Sequence, residues 1–354
     1  MLATVAAGAA VIGVGFYVRR YGNGVAYNLY AHTPLARILH NRALTQARAK
    51  PAHTDLSLEA DRVHRLNKHT YVRLVPYLSD NFGYLVVDEA TNHVAVVDPG
   101  DAVAILAAVE DEKASRPGLV LSHLLVTHHH ADHSGGVADI VRAVPNVNVV
   151  GGRNDRIPCV TQSVADGDVV HVGRLAFTVL DTPSHTKGHV CFALGDQALF
   201  TGDFMFQGGC GRFFEGSAAE MRGSFDQLKR YPDSALVFCG HEYTKSNLEF
   251  AARLVRDSAA DLALALRTRL DWAKERRATN RPTVPSTLGQ ERTFNLFLLS
   301  DDARVAGVVR DVAGAQASLV VKAGSEEGMD VRAVAVNDAT SVMRALRAIK
   351  DAGL

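Results

Sequence analysis

The sequence predicts an α/β fold, on three observations. Apolar segments of strand length alternate with helical patterns from Tyr71 to Val144, and each strand that precedes a candidate ligand hands over to histidine or aspartate within a few residues. Near the carboxy terminus Leu262, Leu266, Leu270 and Ala273 recur at helical spacing, which predicts an amphipathic helix after the last such strand. Short strands that each release one or two ligand-type side chains at one sheet edge can assemble a site no single segment could make.

Composition limits the function classes. The chain has 354 residues, 47% of them hydrophobic, enough for a large core and about two domains. Lys plus Arg equals Asp plus Glu at 38 each, so bulk charge gives no reason to expect nucleic acid as a partner. Cys159, Cys191, Cys210 and Cys239 are widely spaced without a C-x-x-C pair, as expected of free thiols in a reducing compartment.

The chain opens on an uncharged apolar run from Leu2 to Val18, at the short end of what spans a bilayer. Arg19 and Arg20 follow it, and no acidic residue occurs before Asp55. A membrane anchor, a cleaved organelle-targeting segment and a buried helix all fit. The anchor is the first expectation, because basic residues after the run hold the remainder on the cytosolic side; a targeting segment would place the protein in mitochondria. Residues 22–68 read as a weakly structured neck, with Pro34 and Pro51 discouraging one continuous helix.

Strands are expected at Tyr71 to Pro76, Tyr84 to Asp88 and His93 to Val97, with Ser79, Asp80, Asn81 and Gly83 in a turn between the first two. Helices are expected from Ala102 to Lys113 and from Gly136 to Val144. Between them Leu124 to Val126 form a buried strand that delivers T-H-H-H-A-D-H-S-G-G. In an extended segment His128 and His130 share a face and His129 points away, while Asp132 and His133 follow after a bend and could serve a second ion. Packing these side chains so tightly would set cationic imidazoles against one another unless a metal took neutral nitrogen and anionic oxygen ligands. Zinc, iron or manganese suits imidazole with carboxylate; calcium does not.

Three later strands repeat the pattern. Thr178 to Asp181 leads into T-P-S-H-T-K-G-H, where one of His185 and His189 suffices as a ligand. Ala198 to Phe200 leads to Asp203 and a glycine-rich loop, and Leu236 to Cys239 delivers His241 and Tyr243. A carboxylate at the position of Asp203 can bridge two ions.

T-H-H-H-A-D-H-S-G-G, S-H-T-K-G-H, F-T-G-D-F-M-F-Q-G-G-C-G-R-F-F-E-G and C-G-H-E-Y-T-K-S-N-L-E-F-A, in this order, resemble the blocks of the metallo-beta-lactamase superfamily and, within it, of glyoxalase II, the hydroxyacylglutathione hydrolases. P-T-V-P-S-T-L, from Pro282 to Leu288, resembles a fifth block. The resemblance implies an αββα sandwich followed by a helical carboxy-terminal domain. It divides the chain into 1–68, the apolar segment and neck; 69–245, the catalytic domain; and 246–354, a helical substrate-binding domain with an extended segment at about 300–338.

It also implies two divalent ions, expected to be zinc, with iron or manganese as alternatives. His128, His130 and His185 would hold one, Asp132, His133 and His241 the other, and Asp203 would bridge them, with Asp132 and Asp203 as the carboxylates acting in catalysis. The implied reaction is hydrolysis of S-D-lactoylglutathione, or a related S-acyl-glutathione, to glutathione and D-lactate, a step of methylglyoxal detoxification. Tyr243, Arg347 and Lys350 match the family's glutathione-contacting positions; Arg212 stands where lysine is usual, and Phe214 where tyrosine is common. On a closing helix Arg344, Arg347 and Lys350 would form a basic stripe opposite Val342, Leu346 and Ile349. The competing readings are a persulfide dioxygenase with a single iron, and a membrane-tethered binding protein that kept the fold without the chemistry.

Overall fold

The computed structural model describes residues 34–49, 53–256, 259–315 and 338–353. The apolar run from Leu2 to Val18 lies outside them, as do residues 316–337 of the extended segment expected at about 300–338. Among the described residues no helix is long and apolar enough to cross a membrane.

Two sheets make the centre of the molecule. The first has seven strands in sequence order: β1 (Val63–Asn67), β2 (Thr70–Tyr77), β3 (Asn81–Asp88), β4 (His93–Val97), β5 (Val120–Val126), β6 (Asn148–Gly152) and β7 (Gln162–Val164). It is antiparallel up to β4 and parallel beyond it, where α3 (Ala102–Ser115) and α5 (Val137–Ala143) cover its outer face. Both faces are buried, and side chains alternate between two cores. Val72, Leu74, Tyr84, Val86, Ala95 and Val97 point towards the second sheet; Tyr71, Leu85, Val87, Val94 and Val96 point towards the helices.

The second sheet has six strands in the order β15-β14-β11-β10-β9-β8: β8 (Val169–Val172), β9 (Leu175–Asp181), β10 (Val190–Leu194), β11 (Ala198–Gly202), β14 (Leu236–Cys239) and β15 (Ser286–Thr287); β12 (Met205–Phe206) and β13 (Gly209–Cys210) pair as a separate ribbon. Phe177, Phe192, Phe200 and Phe238 fill the space between the sheets. A third core lies outside the second sheet, under α6 (Ala218–Gln227), α7 (Thr244–Val255), α8 (Ala260–Ala278), α9 (Leu288–Phe294), α10 (Ala303–Ala315) and α11 (Ala339–Asp351). The layers are therefore helix, sheet, sheet, helix, the expected αββα sandwich with carboxy-terminal helices. Leu262, Leu266, Leu270 and Ala273 form the buried stripe of α8. Because β15 pairs with β14, the helical region shares a sheet and a core with the catalytic layers.

Three local expectations need correction. Residues 34–48 are not a loose neck but a helix, α1 (Pro34–Arg48), with His40 and Leu44 buried one turn apart; a second short helix, α2 (Glu59–Arg62), leads into β1. Asp61 clamps this region to α8 and its end through Arg276 (2.5 Å) and Arg281 (2.6 Å). Asn81 and Gly83 lie in β3, not in the preceding turn: a Cβ on Gly83 would meet the carbonyl of Asp98 at 2.9 Å, so close packing requires the glycine. The first part of the segment expected as extended at about 300–338 is helical instead, in α10.

Candidate active site

At the end of β5, Thr127 donates its N–H and its hydroxyl to the two oxygens of Asp98, both at 2.8 Å, which fixes the chain where the ligands begin. His128 and His130 then face each other across 2.9 Å (Nε2 to Nδ1), and His185 Nε2 lies 3.0 Å from the same His130 nitrogen. Oδ2 of Asp203, just beyond β11, is 3.4 Å from His185 Nε2. His129 turns away, with its N–H and Nδ1 towards Asp155 and its Nε2 3.8 Å from Glu215.

A second group adjoins the first. The short helix α4 (Ala131–Ser134) sets Asp132 beside His133, their Oδ2 and Nε2 3.6 Å apart. His241 Nε2 is 3.3 Å from both Asp132 Oδ2 and His133 Nε2. Asp203 Oδ1 reaches this group, 3.2 Å from His133 Nε2 and 3.4 Å from His241 Nε2. One carboxylate thus offers an oxygen to each cluster.

The donor set fits a pair of metal ions. Ligands at 2.0–2.1 Å from a tetrahedral ion are separated by roughly 3.3 Å, the spacing seen within each group. The outer nitrogens of four of these histidines are engaged by oxygens: His128 Nδ1 with Thr127 Oγ1 at 3.0 Å, His133 Nδ1 with Asp98 at 2.9 Å, His185 Nδ1 with the carbonyl of Arg212 at 3.0 Å, His241 Nδ1 with Asp80 at 2.7 Å. Protons held there leave the inner nitrogens as lone pairs directed at the centre. Asp203 Oδ1 is buried without a hydrogen-bond donor in good geometry, an orphaned anionic oxygen that a cation would satisfy.

Electrostatics separates the two groups. Burial and the imidazole of His133 hold His128 well below the ordinary histidine range, and burial with His185 does the same to His130, so both stay neutral. Burial opposes a charge on His133 too, but Asp203, Asp132 and Asp98 outweigh it and raise its pKa to about 10; His241 is raised likewise, chiefly by Asp203. The acidic half calls for positive charge, and a metal ion binding there displaces protons.

Beside both groups opens a cleft of about 450 Å³ lined by His185 and Asp203 and by all five expected substrate residues, Arg212, Phe214, Tyr243, Arg347 and Lys350. Phe214 lays its ring 5.2 Å from that of His185, and Tyr243 stacks on His241 at 4.6 Å. Arg347 donates to the carbonyl of Cys210 at 3.1 Å and pairs with Asp351 at 2.7 Å; Lys350 contacts Asn247. Burial, with Arg347 nearby, pushes the Lys350 amine down to about 7. Of the stripe on α11, Arg347 and Lys350 line the cleft and Arg344 does not, while Val342, Leu346 and Ile349 enter the core as expected.

Residues 80–241 match the model of the metallo-beta-lactamase superfamily, and residues 242–353 that of the hydroxyacylglutathione hydrolase C-terminus. A hydroxyacylglutathione hydrolase of Aliivibrio fischeri is 43% identical over 234 residues, 66% of this chain and 88% of that protein. One of Rhodopseudomonas palustris is 42% identical over 240 residues, 67% of this chain and 90% of its own length. The chain belongs to the hydroxyacylglutathione hydrolase family.

This hydroxyacylglutathione hydrolase family member also relies on residues that the motifs did not reveal. Asp98 and Asp80 orient His133 and His241. Asn81 donates to Asp132 Oδ2 at 3.1 Å. Asp155 joins the His129 loop to Thr186, which donates its hydroxyl at 2.9 Å. Only Asp98 carried a usable signal, being an acidic residue directly after a strand, as Asp203 is. His189, left out of the ligand set, accepts the N–H of Asp203 at 3.2 Å and so holds that residue's backbone.

Proposed function

We propose that this chain hydrolyses S-D-lactoylglutathione, or a related S-acyl-glutathione, to glutathione and D-lactate at a two-metal centre. The observation that carries the reading is the pair of donor groups joined by Asp203 and opening on a cleft with Arg347 and Lys350 in its wall. His128, His130 and His185 would hold one ion, Asp132, His133 and His241 the other, with zinc proposed and iron or manganese compatible with the same donors. Two such ions supply Lewis acidity that activates water at neutral pH and polarises the thioester carbonyl.

The chain's own residues do the rest. Against the opposing effect of burial, His133 holds Asp132 far below the ordinary carboxylate range, and His241 with His133 does so for Asp203, so both act as anions. Arg212 at the rim and Arg347 and Lys350 deeper in the wall would take the glutathione carboxylates, and Tyr243 offers a hydroxyl. Phe214 presents an apolar surface beside His185, where a phenol would add a donor. The departing thiolate needs little protonation. The proposed location remains the cytosolic face of a membrane, reached through the run from Leu2 to Val18, or mitochondria if that run is a targeting segment. The test is release of free thiol from S-lactoylglutathione by the metal-loaded protein; absence of release would end the reading.

KM is expected to depend on pH through Lys350. Its amine, lowered to about 7, is charged below that value and neutral above it. Attraction for a carboxylate is thus present in acid and lost as pH rises, so KM should be flat below pH 6 and increase above pH 7. A charge-assisted contact contributes about 1.5–3 kcal/mol, so Lys350→Met should raise KM by about one to two orders of magnitude at pH 6, change kcat little, and flatten the profile. Steady-state kinetics from below pH 6 up to about pH 9 checks this.

A further inference from the structure

The arm of residues 38–49 and 53–62 precedes the part of the chain that the family models match, which begins at residue 80. Its two buried or half-buried histidines each donate one N–H to a main-chain carbonyl near the acidic half of the site. His40, only 4% exposed, donates from Nε2 to the carbonyl of Gly100 at 3.0 Å. A Cβ on Gly135 would come within 2.4 Å of that same nitrogen, and a Cβ on Gly100 within 2.0 Å of the carbonyl of Asp132. His40 is therefore wedged between the loop that follows β4 and the turn carrying Asp132 and His133. Arg48, one helix face along, pairs with Asp101 and holds α1 on that loop.

His53 donates from Nε2 to the carbonyl of Asn81 at 2.9 Å, while the Thr54 hydroxyl, 2.8 Å from Nδ1, fixes its tautomer. Arg277 holds His53 in place through its carbonyl at 2.6 Å, and the ring meets Phe82 edge-on at 5.1 Å. Asn81 donates to Asp132 Oδ2, has its amide nitrogen 3.3 Å from His241 Nε2, and pairs with His241 across an isolated bridge. Both contacts of the arm thus lie one step from Asp132, His133 and His241. The other group is oriented from elsewhere, His128 by Thr127 and His185 by the carbonyl of Arg212.

We propose that the amino-terminal arm is a positioning element for the second ion, with His40 and His53 as its positioning residues. The inference rests on the two-metal reading. A fault in the support behind a ligand typically costs 10–100-fold in metal affinity, and here the cost should fall on one ion of the two. The residues touch neither the cleft nor the first group, so substrate affinity should be untouched.

The test uses the full chain carrying His40→Ala and His53→Ala together, stripped of metal and titrated with zinc against a chromophoric chelator. The expected result is one of the two dissociation constants weaker by about 10–100-fold with the other unchanged, and kcat that falls at limiting zinc, recovers in excess zinc and leaves KM constant. His40→Gln with His53→Gln, which keeps an N–H donor at similar reach, should restore the second site. Thr54→Val, which frees the His53 ring without removing it, should show the same selectivity at smaller size if the double variant does not fold. Equal weakening of both sites, or no change in either, would overturn the proposal. A wild-type chain that itself takes up one ion would instead overturn the two-metal reading beneath it.

Discussion

Asp203→Asn is expected to lose at least one bound metal and most thioesterase activity. The substitution keeps the shape of the side chain, so the loss tests charge and donor character alone. One oxygen of Asp203 faces His133 and His241 at 3.2 and 3.4 Å, and the other faces His185 at 3.4 Å. Whichever way the asparagine amide turns, its NH2 faces one of the two groups where an anionic ligand stood, and that group is left with three donors and a repelled cation. Removing a single electrostatic stabiliser from a preorganised site commonly costs about 10²–10³-fold in kcat, and the loss of an ion should cost at least that. Metal content and kcat, measured on the same preparation, check it. Full turnover with two metals per chain would show that Asp203 does not bridge.

Asp98→Ala should damage stability and metal binding together. The carboxylate is 1% exposed and accepts the N–H and hydroxyl of Thr127 and Nδ1 of His133. Truncation leaves these donors inside the protein without an acceptor, at about 1–3 kcal/mol for each that finds no water. His133 would also lose the contact that sets its tautomer, and loss of such a partner lowers metal affinity by about 10–100-fold. Thermal unfolding of the metal-free protein should therefore show a lowered Tm, and a zinc titration a weakened second site. An unchanged Tm in the metal-free variant would mean that water replaces the carboxylate.

The ligands were legible in the sequence because each stands just after an apolar strand segment, and a sheet edge is where such segments converge. β-alternation made the cores legible for the same reason: Leu124 and Val126 face the helices and Leu125 the second sheet. The supports were harder to read, because a residue such as Asp80 looks like an ordinary turn former until the fold brings His241, distant in sequence, to 2.7 Å. Gly83 reads as a turn residue, whereas what it supplies, like Gly135, is the absence of a side chain, beside Asp98 and His40 respectively. The neck was misread for a local reason. Pro34 discourages a helix running through it but favours one that starts there, and α1 begins at that residue. Deletion of residues 1–50 would remove His40 and Leu44 from their buried positions.

The most direct measurement of the central claim is a stepwise zinc titration of the metal-stripped full chain, with bound metal and S-lactoylglutathione hydrolysis followed in the same samples. The two donor groups sharing Asp203 predict two equivalents bound and turnover that rises mainly with the second. Full turnover at one equivalent, with no further binding, would contradict the account.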